Sequence, residues 1–275
     1  MDRMPPKGVF MQREARAADK SEFAIFALKY AGPFTSSVAK VLLDTDWDKT
    51  IDRYYYIWVI QGKGATVVVD CGVRPAWAAQ KNLKGYVSPD TVLARIGINA
   101  ATVEHLVLTH IHQDHAGGLE LFPQAKVYVQ RQEFEFWISD PIAKRPPFAK
   151  VSDPAAIEQL GSLRGSDRLA LVDGDQQILP GIEVLLTPGH TPALQSVAVK
   201  TARGVAVLTS DCAHVHKSFE VDMPSSLICD LPGWLRSFSK LREKVGGNLS
   251  LLFPGHDREM LFDYPRVAED VTRLV

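Results

Sequence analysis

Three histidines and an aspartate fall within six consecutive positions of this chain. The segment LTHIHQDHAGG places them at His110, His112, Asp114 and His115, although the 275 residues include only eight histidines. Imidazole nitrogens and carboxylate oxygens are typical ligands of Zn²⁺ and other first-row metal ions. One helix face cannot present all of them, because residues two apart on a helix point away from each other. In a loop, alternate residues share a side, so we predict that His110 and His112 bind one ion and that Asp114 and His115 bind a second.

Three more candidate ligands follow apolar runs further along the chain. VLLTPGH ends at His190, VAVLTSD at Asp211 and LLFPGH at His256. Apolar runs of this length predict buried strands, and strands that end alike deliver side chains to one edge of a sheet. A single histidine of this kind is more often a hydrogen-bonded structural residue, but the joint pattern favours a metal site. Seven ligands exceed one tetrahedral zinc site, so two ions are expected.

The elements that position these residues alternate between strands and helices, which predicts an α/β layer arrangement. Runs of β-branched and aromatic residues predict strands over 22–31, 54–61, 65–70, 103–110, 125–130, 168–173, 182–190, 194–201, 204–211 and 249–256. The GKG turn is predicted to join the second and third of these strands. Helices are predicted over 88–98, 117–122 and 231–245. In the last helix the helical period places one apolar face on Trp234, Leu235, Phe238, Leu241 and Val245.

The chain divides into an N-terminal arm and one domain. Residues 1–20 are polar and charged and predict an arm, whereas 21–275 are predicted to form a single domain. Within it, 131–168 mixes aromatics, prolines and charges and is interpreted as an insertion near the active site.

Composition excludes several classes of function. The net charge is -1 and the sequence pI about 6.7, so no basic surface for nucleic acid or an anionic membrane is expected. We find neither the apolar core of a signal peptide nor a run of about 20 apolar residues that would span a membrane. The three cysteines, Cys71, Cys212 and Cys229, are predicted to be small buried residues, which suits a cytoplasmic location.

These motifs together resemble the metallo-β-lactamase superfamily, and the similarity covers about 22–260. It lies in HIHQDH at 110–115, TPGHT at His190, LTSD at Asp211 and FPGH at His256. The resemblance implies an αβ/βα sandwich of two mixed β-sheets flanked by helices, with a dinuclear site at one sheet edge. It implies two Zn²⁺ per chain, with Mn, Fe or Co as alternatives. One ion would be bound by His110, His112 and His190, and the other by Asp114, His115 and His256.

The same resemblance implies roles for the carboxylates. Asp211 would bridge the two ions together with a hydroxide that attacks a carbonyl group. Asp114, beside that bridge, would act as the proton shuttle. Asp70, in VDCG, would support a ligand without binding metal itself.

Within the superfamily, the chain is most similar to the quorum-quenching N-acyl homoserine lactonases. Asp211 stands where true metallo-β-lactamases carry Cys or Ser, and only 19 residues follow His256, too few for the helical domain of glyoxalase II. The prediction is a zinc-dependent hydrolase that opens the lactone ring of a small molecule, either acyl-homoserine-lactone-like or aromatic. The alternatives are an amidase, a thioesterase or a β-lactam-opening enzyme. A metal-free scaffold is disfavoured because all seven ligands are present.

Two positions depart from that group and predict an altered substrate pocket. His214 replaces the Tyr that usually follows the bridging aspartate by three residues, and Gln113 replaces an aromatic between the ligands. His214 is predicted to contact substrate and to act in catalysis, with a solvent-facing loop residue as the alternative. Phe134 and Trp137 are predicted to wall the pocket, with core packing as the alternative. Relatives often form homodimers, and the polar arm is a candidate to contact a second subunit.

Overall fold

The described residues, 22–275, form thirteen strands in this computed structural model. The prediction of an arm over 1–20 lies outside them. The strands are β1 (Ala24–Ser37), β2 (Thr50–Gly62), β3 (Ala65–Val69), β4 (His105–Val107), β5 (Lys126–Gln130), β6 (Leu169–Val172), β7 (Gln176–Leu179), β8 (Ile182–Leu186), β9 (Gln195–Thr201), β10 (Gly204–Ser210), β11 (Leu252–Pro254), β12 (Arg266–Ala268) and β13 (Val271–Arg273).

These strands form two mixed sheets. The larger has the order β12-β13-β1-β2-β3-β4-β5-β6, antiparallel up to β3 and parallel from β3 to β6. The smaller has the order β11-β10-β9-β8-β7, in which only β10 and β11 are parallel. The predicted turn between β2 and β3 is confirmed as a two-residue hairpin. Lys63 and Gly64 both have positive φ, as the right-handed twist of a tight hairpin favours.

Helices cover the sheets on their outer faces. They are α1 (Pro75–Gln80), α2 (Pro89–Ala94), α3 (Gln113–Ala116), α4 (Arg131–Ser139), α5 (Pro146–Ala149), α6 (Pro154–Gly161), α7 (Lys217–Val221), α8 (Leu231–Lys244) and α9 (Glu259–Phe262). The segment 131–168 contains α4, α5 and α6, and α4 contacts β5 and β6. Within residues 22–275, every helix is too short or too polar to span a bilayer.

Two layers of apolar side chains hold this arrangement together. Between the sheets, Trp58 and Val69 of the larger sheet pack in one cluster with Val184 and Val197 of the smaller. On the other face of the larger sheet, residues such as Leu106 and Val127 pack against the helices. Two mixed sheets flanked by helices are the αβ/βα sandwich that the resemblance implies.

Several local predictions were wrong. The strand predicted over 103–110 ends at Val107, and the helix predicted at 117–122 is only a 3₁₀ turn over Leu119–Leu121. Leu108 and Ile111 remain fully buried outside any strand, so the apolar run reports burial and not strand pairing. Cys229 is exposed, while Cys71 and Cys212 are buried as predicted. The short strands β7, β12 and β13 were not predicted.

The apolar face predicted for α8 also includes one residue that the core does not bury. Trp234, Phe238 and Leu241 are fully buried, whereas Leu235 is 38% exposed.

We therefore expect Phe238→Ala to lower the free energy of unfolding by about 3–5 kcal/mol, because it leaves a cavity in the core. Leu235→Ala, on the same helix, should change it by less than about 0.5 kcal/mol. Urea unfolding of both variants measures the difference, and equal losses would contradict the assigned face.

Candidate metal centre

The seven candidate ligands lie at one edge of the sandwich. His110 and His112 follow β4 in a loop, and the chain then turns into α3, which carries Asp114 and His115. The other three residues follow the ends of β8, β10 and β11, and they are His190, Asp211 and His256. The four segments therefore meet because the two sheets place these strand ends together. We call these seven residues the candidate metal centre.

The first group contains His110, His112, His190 and Asp211, all buried. Nδ1 of His112 lies 3.0 Å from Nε2 of His110 and 3.1 Å from Nε2 of His190. Nε2 of His190 lies 3.2 Å from Oδ2 of Asp211. Three imidazole nitrogens and a carboxylate oxygen thus converge on one point, which is the donor set of a tetrahedral first-row metal site.

The second group contains Asp114, His115 and His256. Nε2 of His115 and Nε2 of His256 each lie 3.7 Å from Oδ2 of Asp114. The same two nitrogens lie 3.4 and 3.1 Å from Oδ1 of Asp211. Asp211 therefore presents one carboxylate oxygen to each group, which is the position of a bridging ligand.

The hydrogen bonds of the histidines agree with metal binding. Nδ1 of His190 contacts the carbonyl of Leu227 at 3.0 Å, and Nδ1 of His256 contacts the carbonyl of Tyr54 at 2.9 Å. Such contacts fix the ring so that Nε2 carries a free lone pair. Among the described residues, two atoms that face each other, Nε2 of His115 and Oδ1 of Asp211, are buried without a hydrogen-bond partner. Buried polar atoms are rarely left unpaired, so a metal ion fits here.

Asp70 contacts the ring nitrogen of His115 that faces away from the candidate metal centre. Its carboxylate lies 2.7 Å from Nδ1 of His115 and accepts hydrogen bonds from the backbone N–H and the hydroxyl of Thr109. Asp70 is fully buried and has a left-handed backbone with φ of +62°. These contacts place Asp70 where it would orient His115, a candidate ligand.

Glu133 is a functional candidate that the sequence analysis missed. Its buried carboxylate accepts hydrogen bonds from the N–H of Ile111, between two candidate ligands, and from the hydroxyl of Thr191 and the N–H of Ala193. It also accepts one from the indole N–H of Trp137. Glu133 therefore ties the loop after β4 to the loop after β8. No local pattern in RQEFEFW distinguishes it from a surface residue of α4.

Two glycines allow close approaches at the ligands. A Cβ at Gly255 would lie 2.1 Å from Oδ1 of Asp211, so only glycine fits beside the bridging carboxylate. Gly189 has φ of +143°, and a Cβ there would lie 2.3 Å from Cβ of Trp234.

Burial and crowding set the protonation of the centre. The pKa values of His110 and His112 both lie well below the usual value for histidine. Burial is the largest cause, and the neighbouring imidazoles lower them further. Burial raises the pKa of Asp211, but the surrounding histidines outweigh it and hold the carboxyl ionised. Burial lowers the pKa of His115, yet the carboxylates of Asp211, Asp114 and Asp70 raise it to about 10.

His214 lies inside the centre and not in a solvent-facing loop. It is 5% exposed, and its Nε2 lies 3.0 Å from Oδ2 of Asp211. Its ring lies 5.2 Å from that of His190 and 5.1 Å from that of His256, between centroids. Nδ1 of His214 is buried without a partner among the described residues.

The other three residues predicted to line the pocket lie in different places. Trp137 packs edge-on against His112, with ring centroids 5.5 Å apart. Gln113 instead lines a neighbouring cavity of about 480 Å³ with Arg74 and Trp77. Phe134 is fully buried beneath the guanidinium of Arg164, a position that favours core packing.

Comparison with known proteins identifies the family. A family model described as the metallo-beta-lactamase superfamily matches residues 50–256. The chain belongs to this superfamily. It is 30% identical over 226 residues to an N-acyl homoserine lactonase of Bacillus thuringiensis, which covers 77% of this chain and 84% of that protein. It is 27% identical over 176 residues to the N-acyl homoserine lactonase AttM of Agrobacterium fabrum, covering 63% of this chain and 65% of that protein.

Solved structures of the superfamily share the fold. An N-acyl homoserine lactone hydrolase with the product N-hexanoyl-L-homoserine at its catalytic metal center has a TM-score of 0.74 at 22% identity, covering 90% of this chain and 98% of that one. AidC, a dizinc quorum-quenching lactonase, has a TM-score of 0.69 at 20% identity, covering 86% and 88%. The predicted αβ/βα sandwich is confirmed.

Replacement of Asp70 tests its support of His115. Asn tolerates the left-handed backbone, so Asp70→Asn removes the charge and one acceptor without adding backbone strain. We expect zinc affinity to fall about 10- to 100-fold, measured by competition with a chromophoric chelator. Asp173→Asn, at an exposed carboxylate paired with Arg131, is the matched control. Equal affinities of the two variants would show that Asp70 does not act on the ligand.

Metal uptake should release a proton from His115. Its pKa of about 10 lies above the ordinary value, so the metal-free protein holds this imidazole protonated at pH 7, and binding requires the neutral form. We expect zinc affinity to rise up to about tenfold per pH unit between pH 6 and 8. Calorimetric titration in buffers of different ionisation enthalpy counts the released protons. An affinity that stays constant across this range would contradict the expectation.

Proposed function

We propose that this protein is a dinuclear zinc hydrolase that opens the ring of a small-molecule lactone. The observation that carries the proposal is the convergence of seven candidate ligands, six of them buried, into two groups that both contact Asp211. The similarity to N-acyl homoserine lactonases, including 30% identity over 226 residues, supports a lactone as the substrate. An acyl-homoserine lactone is the first candidate, and an aromatic lactone is the second because His214 stands beside Asp211 where that group usually carries Tyr.

In this proposal, His110, His112 and His190 hold one ion, Asp114, His115 and His256 hold the other, and Asp211 lies between them. The bound ions would polarise the substrate carbonyl and activate the attacking water.

Asp114 is suited to carry the proton. Its side chain is 13% exposed, against 4% for Asp211, so it alone of the two acidic ligands faces the opening of the site. The hydroxyl of Tyr30 donates to its backbone carbonyl at 2.6 Å and fixes the position of the residue. Asp114 would take a proton from the attacking water and return it to the leaving oxygen. His214, beside Asp211, would contact the substrate, and Trp137 would wall the pocket beside His112.

A lactonase assay tests the proposal. We expect zinc-loaded protein to hydrolyse at least one of a panel of acyl-homoserine, aliphatic and aromatic lactones, followed by acid release in a pH-indicator assay. Chelation should abolish turnover and added zinc should restore it. Parallel assays with an amide, a thioester and a β-lactam cover the alternatives. Turnover of one of these without any lactone turnover would replace the proposed substrate class and leave the metal centre intact.

A further inference from the structure

Beside the second group of candidate ligands stands a tyrosine whose hydroxyl has no hydrogen-bond partner within residues 22–275. Four of the seven tyrosines have a hydroxyl that contacts another residue, and they are Tyr30, Tyr56, Tyr86 and Tyr128. Among the described residues, no hydrogen bond forms at the hydroxyls of Tyr54, Tyr55 and Tyr264. Of these three, only Tyr55 packs its ring against a candidate ligand, with its centroid 5.3 Å from that of His256.

The position of Tyr55 follows from the strand that carries it. Side chains alternate along β2, so Tyr54 and Tyr56 belong to the layer between the sheets, and Tyr55 belongs to the opposite face. The backbone of Tyr54 meanwhile binds His256 through two hydrogen bonds. This places the next side chain, Tyr55, directly against the second group.

Neighbouring aromatics hold the Tyr55 ring in place. The ring of Phe34 lies 4.6 Å away and that of Tyr30 lies 5.9 Å away, between centroids. Tyr55 remains partly exposed, unlike the fully buried Tyr30. A phenol keeps its proton at neutral pH because its ordinary pKa is about 10. The hydroxyl of Tyr55 can therefore donate a hydrogen bond.

We propose that Tyr55 is a substrate-binding residue whose hydroxyl donates a hydrogen bond to the leaving ring oxygen of the lactone. This inference rests on the proposed function. In the reaction, water adds its oxygen to the carbonyl carbon and gives a proton to Asp114. The bond from that carbon to the ring oxygen then breaks, and its electron pair stays on the ring oxygen. Tyr55 stabilises this oxygen until the proton from Asp114 neutralises it, which yields a hydroxy acid.

Tyr55→Phe tests the assignment because it removes the hydroxyl and keeps the ring that packs on His256. We expect kcat for the best lactone to fall about 10- to 100-fold, as for loss of a hydrogen bond to a developing charge. Zinc content and the urea midpoint should stay at the wild-type values. Tyr264→Phe is the matched control, because that residue is also partly buried and its hydroxyl also lacks a partner. It should retain full activity.

A thiolactone identifies the atom that Tyr55 contacts. A thiolate is a more stable leaving group than an alkoxide and accepts hydrogen bonds only weakly. The fold-reduction in kcat that Tyr55→Phe causes should therefore be at least about fivefold smaller on the matching thiolactone than on the lactone. An equal loss on both substrates would overturn the contact with the leaving oxygen. If the wild type opens lactones and Tyr55→Phe is equally active, the Tyr55 assignment is wrong and the function stands. If the wild type opens no lactone, the proposed function fails and the assignment fails with it.

Discussion

The candidate metal centre depends on the burial of one carboxylate among imidazoles. A buried charge is costly unless it is paired, and Asp211 has Nε2 atoms of four histidines within 3.4 Å. Three of these rings, of His115, His190 and His256, come from segments far from Asp211 in the sequence, whereas His214 lies three residues after it. Asp211 can be buried only when both sheets have brought those segments together. The fold and the site therefore form as one unit, and neither group of ligands can assemble locally.

Two further buried carboxylates connect the loops that carry the candidate ligands to the larger sheet and to each other. Asp70 joins the end of β3 to the loop after β4, and Glu133 joins that loop to the one after β8. Each is buried and accepts at least three hydrogen bonds, which a carboxylate can do and a neutral amide cannot. The backbone at Asp70 and at Ser210, immediately before Asp211, is left-handed. Such strained positions persist where the surrounding contacts determine them, and here they turn the chain toward the ligands.

The sequence predicts the site better than it predicts the elements around it. The candidate ligands stand in short motifs after apolar runs, so their types and order were visible, whereas the two sheets with helices on their outer faces were expected only from the family resemblance that these motifs carry. The three-residue strands β12 and β13 are too short for a periodic pattern, and β4 is shorter than its apolar run. Glu133 could not be found because its partners lie in other segments, up to 60 residues away. Tyr55 was hidden for the same reason, since it meets His256 only across 201 residues of chain.

The two sides of the centre differ in what they offer a substrate. Beside the first group stand the indoles of Trp137 and Trp234, packed against His112 and His190. Both indole N–H groups are already bonded, one to Glu133 and one to the carbonyl of Cys212, and both rings are buried, so neither indole offers a substrate a hydrogen-bond donor. The second group is flanked by Tyr55, whose hydroxyl has no hydrogen-bond partner among the described residues. A lactone bound across both groups with its ring oxygen toward Tyr55 would therefore give that oxygen a donor that the tryptophans cannot supply.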